Sequence, residues 1–153
     1  MPLEIRDGGL DDPQVIAMLK FHYDTSVAVT PLCSAHVFDL TRLKAGDMSF
    51  WSAWDGTTLR GTGALKRMDA EQGEVKSMHT LQAARRSGVG RAMLTHIMAR
   101  ARAMGLKRLN LETGSFEFFA PARALYARHG FVECPPFSGY KPDPHSTFMT
   151  REI

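Results

Sequence analysis

Arg85-Arg86-Ser87-Gly88-Val89-Gly90 joins a strand-like run to a helix-like run, with two glycines where the backbone must turn. A turn of this kind aims successive backbone N–H groups at one point, at the positive end of the helix dipole. The resulting site suits an anion, and phosphate or pyrophosphate is its natural occupant. Arg85, Arg86 and Arg91 add positive charge around it.

Two common phosphate loops fail on chemistry. A Walker-type loop ends in Lys-Ser or Lys-Thr to reach terminal phosphates and Mg²⁺, whereas Gly90 is followed by Arg91-Ala92. A dinucleotide-binding fingerprint needs three glycines at fixed spacing, and here only Gly88 and Gly90 are present. What remains is Arg-x-x-Gly-x-Gly, which resembles the acetyl-CoA pyrophosphate loop of the GNAT N-acetyltransferase superfamily. From Phe50 to Phe131 the order strand, strand, strand, loop, helix, strand, helix leads to Leu125-Tyr126-Ala127-Arg128-His129-Gly130-Phe131. That segment is similar to the superfamily's second signature, a Leu-Tyr pair followed by Gly-Phe at a helix end. More narrowly, Glu74-Val75-Lys76-Ser77-Met78, Leu111-Glu112-Thr113-Gly114 and the tail from Tyr140 to Ile153 resemble a bacterial subgroup of YsnE-type acetyltransferases.

The resemblance implies an α/β fold in one domain over residues 1–153. Its mixed, mostly antiparallel sheet would be flanked by helices and carry a splayed central strand pair. It implies acetyl-CoA as cosubstrate and direct acetyl transfer, in a ternary complex, to a primary amine of a small-molecule or amino-acid-like acceptor. No metal is called for, and a homodimer is allowed. Two alternatives stay open: a non-catalytic acyl-CoA-binding or regulatory module, and a protein or peptide N-acetyltransferase. The cofactor contacts implied are Met78, His79 and Thr80, through their backbone, and Arg85, Arg86, Ser87, Gly88, Val89, Gly90 and Arg91. Tyr126 would protonate the departing CoA thiolate; an ordinary phenol, with a pKa of about 10, can donate at neutral pH. Many members carry Asn where this chain has Phe119, so one contact to the CoA arm is changed.

Bulk properties narrow the partners. The chain has 153 residues and 44% hydrophobic content, enough for one domain with a real core. Lys and Arg number 19 against 16 Asp and Glu, with no basic run beyond two, so nucleic acid is not the expected partner. No apolar stretch is long enough to span a membrane, and the opening Met1-Pro2-Leu3-Glu4-Ile5-Arg6 is not a secretory signal. Cys33 and Cys134 stand far apart with neither metal nor disulfide spacing, which fits a reducing cytoplasm. The six His residues are scattered, and no pair has the spacing of a zinc site.

Local patterning sets the elements. Leu3 to Arg6 reads as a strand. Asp12 caps a helix that opens on Pro13, with Ile16, Leu19 and Tyr23 expected to face the core. Val37, Leu40 and Leu43 suggest a short second helix. Asp55-Gly56 predicts a hairpin between strands 48–53 and 59–67. Gly61 and Gly63 in the second of these suggest close approach by another backbone or a ligand. Glu74 to Leu81 is a strand, Val89 to Gly105 a capped helix, Lys107 to Glu112 a strand, and Pro121 to His129 a helix. Phe131–Cys134 and Thr147–Arg151 read as the last strands.

Acyl transfer to an amine also needs a proton acceptor. Glu74 and Glu112 are the candidate bases, since a carboxylate on a central strand can have its pKa raised toward the working range. Strict alternation would set Glu74 on the same face as Met78, about 13 Å along the strand, which suggests a water relay. His79 needs no tuning to act near neutrality, but alternation turns it to the opposite face from Met78. His22, Tyr23, His36, Trp51 and Tyr140 are candidates for the acceptor pocket by position.

Overall fold

The computed structural model describes residues 3–29, 40–80 and 88–153. The loop residues Arg85, Arg86 and Ser87, together with Cys33, His36, Val37 and Leu81, lie outside the described residues. The order is β1 (Glu4–Asp7), α1 (Pro13–Val29), α2 (Leu40–Leu43), β2 (Met48–Asp55), β3 (Thr58–Arg67) and β4 (Gln72–Thr80), then α3 (Val89–Ala103) and β5 (Arg108–Gly114). A 3-10 turn (Glu117–Phe119) then leads into α4 (Ala120–Arg128), β6 (Val132–Glu133) and β7 (Ser146–Glu152). The strands form one sheet in the order β1-β2-β3-β4-β5-β7-β6. Every neighbouring pair is antiparallel except β4 with β5.

Local chemistry explains where the elements start. The Asp12 carboxylate accepts the Gln14 N–H at 2.8 Å and caps α1, with Pro13 in the first helical position. The core-facing stripe of α1 is Val15 and Leu19, both buried, so it lies one residue back from the expected Ile16 and Tyr23. Gly56 takes a φ of 61° in the hairpin between β2 and β3.

Two apolar layers cover the sheet. Met93, Leu94, Ile97 and Ala101 of α3 pack with Leu65, Leu109, Leu111, Tyr126 and Phe131 on one face. Val15 and Leu19 of α1 pack with Phe50, Trp54 and Ala64 on the other. Trp51 is buried in the α3 layer at 3% exposure, which removes it from any acceptor pocket. The close approach expected at Gly61 and Gly63 comes chiefly from α3. A methyl group at Gly63 would sit 2.6 Å from Met93 Cγ, and one at Gly61 would sit 2.8 Å from both Val89 Cγ1 and the His79 carbonyl. Small residues here let α3 lie close on the strand, and that seats the N-terminus of α3 at the end of β4.

Candidate active site

The central strands separate where the site must be. β4 and β5 pair from Gln72↔Arg108 only as far as Val75↔Leu111. Beyond that point β4 runs on to Thr80 and β5 to Gly114 without pairing each other. Backbone groups of Lys76–Thr80 that would bond to β5 in a continuous sheet therefore have no partner on that strand.

A bulge in β4 shapes the same region. The register with β3 slips between Thr62↔His79 and Ala64↔Lys76, and Ser77 takes a φ of 52°, uncommon for a residue other than glycine. The Thr62 hydroxyl, itself buried, donates to the Ser77 carbonyl at 2.8 Å and satisfies the group that the bulge displaces. The inserted residue inverts the alternation. Met78 packs against the α3 layer, whereas His79 stacks on His22 of α1 across the sheet. His79 and Lys76 pair with Thr62 and Ala64, and Glu74 with Lys66, all on one face of β3. The expectation that Glu74 shares a face with Met78 is therefore corrected: Glu74 lies on the His79 face.

The N-terminus of α3 closes one end of the gap. Gly88 is the N-cap with φ 87°, and among the described residues no side chain caps the first N–H groups of the helix. Val89 is buried beneath it, and Arg91 is exposed. A methyl group at Gly90 would lie 3.1 Å from Leu125 Cδ2 and 3.7 Å from Thr80 Oγ1. The loop's end, the end of β4 and α4 thus meet around one point.

Tyr126 follows Leu125 on α4 and is buried in the α3 layer. Its side chain is buried, edge-on to Phe131 at 5.9 Å between ring centres. The signature segment explains this contact. Gly130 turns with φ 85° at the end of α4, and the Phe131 N–H donates back to the Tyr126 carbonyl at 3.1 Å, bringing the two rings together. Burial pushes the Tyr126 phenol well above its ordinary value, and the nearby Glu112 carboxylate pushes it further. The hydroxyl is thus held as a donor at every ordinary pH, more firmly than an unperturbed phenol would be. Glu112 itself is half-buried on β5, just past the end of the β4–β5 pairing.

Glu74 is 4% exposed and is engaged by two donors. The Tyr140 hydroxyl donates to its Oε2 at 2.7 Å and the Lys76 ammonium approaches the same oxygen at 3.4 Å. Tyr140 comes from the loop before β7 and is held by the Phe137 and Phe148 rings at 5.3 Å and 5.4 Å. Phe119 does not take over the work of an asparagine at the CoA arm. Its ring packs into the space left by the missing side chain of Gly114.

A cleft of about 400 Å³ opens on the α1 side of the β4 terminus, with Phe21 and His22 of α1, His79, Thr80 and Phe118 among its walls. The His22 and His79 rings stack at 3.4 Å with 29° between planes, and His79 Nδ1 is buried with no hydrogen-bond partner among the described residues. Burial holds the His79 imidazole well below its usual range, and the facing His22 ring of α1 lowers it further. His79 is therefore neutral at pH 7 in the native state. The linkage sign follows. Below about pH 6.5 the unfolded chain takes up a proton that the native ring refuses, so stability is lost as the pH falls toward the native value. In urea titrations, the stability advantage of wild type over His79→Gln should shrink between pH 7.5 and pH 5, by at most about 1.4 kcal/mol per pH unit. A difference that is flat with pH would mean that His79 takes up its proton as readily in the fold as in the unfolded chain.

Thr62, Phe21 and Phe118 were not legible as site residues. Thr62 lies in a strand with no motif, and its role exists only because the bulge does. Phe21 and Phe118 are 61% and 40% exposed, but exposure cannot be read from sequence. His22 and Tyr140 were legible by position, Tyr23 is half-buried on α1, and the partners of His22 and Tyr140 depend on chain crossings far apart in sequence.

Comparison with known proteins agrees with this geometry. The model of the acetyltransferase (GNAT) family matches residues 11–131. The chain is 41% identical to the uncharacterized N-acetyltransferase YsnE of Bacillus subtilis (strain 168), over 99% of this chain and 100% of that protein. It is also 41% identical to the IAA acetyltransferase of Azospirillum brasilense, over 80% of each. The PaiA N-acetyltransferase of Thermoplasma acidophilum, solved in complex with coenzyme A, superposes with a TM-score of 0.76 at 15% identity, covering 100% of both chains. Among the described residues no helix is long and apolar enough to cross a membrane. A family model over most of the chain, full-length relatives and a sheet that parts beside a helix N-terminus lead to one assignment: the chain belongs to the acetyltransferase (GNAT) family and is an N-acetyltransferase of that family.

Proposed function

We propose that this protein moves the acetyl group of acetyl-CoA directly to the primary amine of a small molecule, with both substrates bound at once. The observation that carries the reading is the end of β4–β5 pairing at Val75↔Leu111, with the start of α3 beside the end of β4 and Tyr126 buried in the same apolar layer. The pyrophosphate would rest on the N–H groups from Arg86 to Gly90, with Arg85 and Arg91 adding charge and Ser87 and Val89 completing the turn. The pantetheine arm would follow the open edge of β4, and a backbone N–H in Met78–Thr80 would polarise the thioester carbonyl. Attack by the amine nitrogen forms the C–N bond, and the C–S bond breaks as the tetrahedral intermediate collapses. The leaving thiolate accepts a hydrogen bond from Tyr126. Full loss of the phenolic proton would leave a phenolate near Glu112, so Tyr126 acts by donation in the transition state and recovers any proton it gives from solvent.

The amine proton is proposed to leave by the carboxylate side. Glu74, fixed by Tyr140 and Lys76, is one acceptor through water, and Glu112 is the alternative. Glu74→Gln should lower kcat/KM at neutral pH and recover as rising pH supplies free amine. Equal loss at every pH would mark Glu74 as structural, and recovery seen only with Glu112→Gln would move the base to β5.

The reading is tested by following thiol release from acetyl-CoA across a panel of amines, amino acids and peptides. Turnover with small amines supports it, and turnover confined to peptides would make the chain a protein N-acetyltransferase. Coenzyme A binding by calorimetry with no release for any acceptor would make it a non-catalytic acyl-CoA-binding module.

A further inference from the structure

The cleft on the α1 side of β4 has a chemistry that narrows the acceptor. It is about 400 Å³, within the range of small-molecule sites, and opens beside Thr80 at the end of the strand that would present the thioester. Its walls are mainly apolar: Met18 and Leu59 at the base, with Phe21 of α1 and Phe118 of the 3-10 turn. These two phenylalanines are the feature that needs an explanation. Phe21 is 61% and Phe118 40% exposed, although both line one concavity, and such paired exposure of large apolar rings marks a binding surface.

The polar groups of the cleft point the same way. Gln14 is engaged at both ends, its amide donating to the Thr57 carbonyl at 2.9 Å and accepting the Leu59 N–H at 3.0 Å. The Thr25 hydroxyl donates to the Phe21 carbonyl of its own helix at 2.8 Å. His22 and His79 stack face to face, and His79 is neutral, so the stack presents a flat unsaturated surface. Among the described residues that line the cleft there is no Asp, Glu, Lys or Arg. Among these residues an amino-acid carboxylate finds no Lys or Arg, and the second ammonium of a polyamine finds no carboxylate. A flat ring, in contrast, meets aromatic edges and faces on three walls. A neutral, poorly hydrated lining also disfavours the charged ammonium, and so raises the share of free amine beside the thioester.

Resting on the N-acetyltransferase reading, we propose that this cleft is the acceptor subsite and takes a primary amine carried on an uncharged, flat aromatic body. Amino acids and polyamines are not its substrates. The amine would point to Thr80 and the gap between β4 and β5, with the ring between Phe21, Phe118 and the His22–His79 stack.

The test uses the intact protein with acetyl-CoA and four amines: 2-phenylethylamine, tryptamine, spermidine and glycine. The aromatic amines should exceed the other two in kcat/KM by about tenfold or more. Phe21→Ala and Phe118→Ala alter exposed side chains, so the fold should survive. Each should raise the aromatic-amine KM about five- to tenfold while the KM for acetyl-CoA stays put. The unreactive alcohol 2-phenylethanol should compete with the amine and not with acetyl-CoA, and its binding, followed by NMR, should weaken in both variants. Preference for spermidine or glycine would overturn the proposal, as would an aromatic-amine KM indifferent to both substitutions. A gain for octanoyl-CoA over acetyl-CoA that both substitutions abolish would also overturn it, by giving the cleft to the acyl chain. Absence of thiol release with every amine overturns the acetyl-transfer reading itself. The NMR titration still reports then whether an aromatic ring enters the cleft, so the two failures are distinguishable.

Discussion

Gly88→Val is expected to abolish acetyl-CoA binding. The residue is the N-cap of α3 with φ 87°, a backbone conformation that a β-branched side chain adopts only under strain. Among the described residues, no atom beyond its chain neighbours lies within 4 Å of where its side chain would begin, so the variant meets no clash there. Its effect would act through the turn, by rotating the N–H groups that should converge on the pyrophosphate and by crowding the phosphate itself. Gly88→Asn makes a useful comparison, because asparagine tolerates the left-handed region and should retain part of the affinity. Calorimetry on both variants decides the matter: wild-type affinity in Gly88→Val would remove the loop from the cofactor site.

Tyr126→Phe is expected to lower kcat about 100-fold while the KM for acetyl-CoA barely moves. The ring keeps its packing against Phe131, so the substitution isolates the hydroxyl. Because burial and Glu112 both hold that hydroxyl protonated, the wild-type rate should show no alkaline loss assignable to this phenol below pH 10. Unchanged kcat in the variant, at a turnover limited by chemistry, would leave Tyr126 with a packing role alone.

Much of the architecture was legible from residues close together in the chain. Asp12-Pro13 announced the start of α1, Asp55-Gly56 the hairpin, and Gly88-Val89-Gly90 the junction before α3. Leu125-Tyr126 with Gly130-Phe131 announced the end of α4. Each of these signals is local: a cap, a positive φ or a missing N–H acts within a few residues of itself. The family followed from the resemblance that the order of such signals carries, and that resemblance implies the cosubstrate. Gly61 and Gly63 were legible as places of close approach, but not that α3 was the element approaching.

What sequence periodicity misjudged, it misjudged at the site. Alternation is a sound guide only in an unbroken ladder, and the bulge at Ser77 moves Glu74 from the face of Met78 to that of His79. The Val15–Leu19 stripe, the engagement of Glu74 by Tyr140 and Lys76, and the burial of Trp51 likewise depend on how the layers seat on one another. The His22–His79 stack and the Phe21–Phe118 cleft join segments far apart in the chain. The sequence by itself determined the elements and their order, because those are set by short-range backbone chemistry. Only the tertiary structure decided which side chains share a wall, because one inserted residue or one rotated helix face changes every long-range neighbour without altering a single local preference.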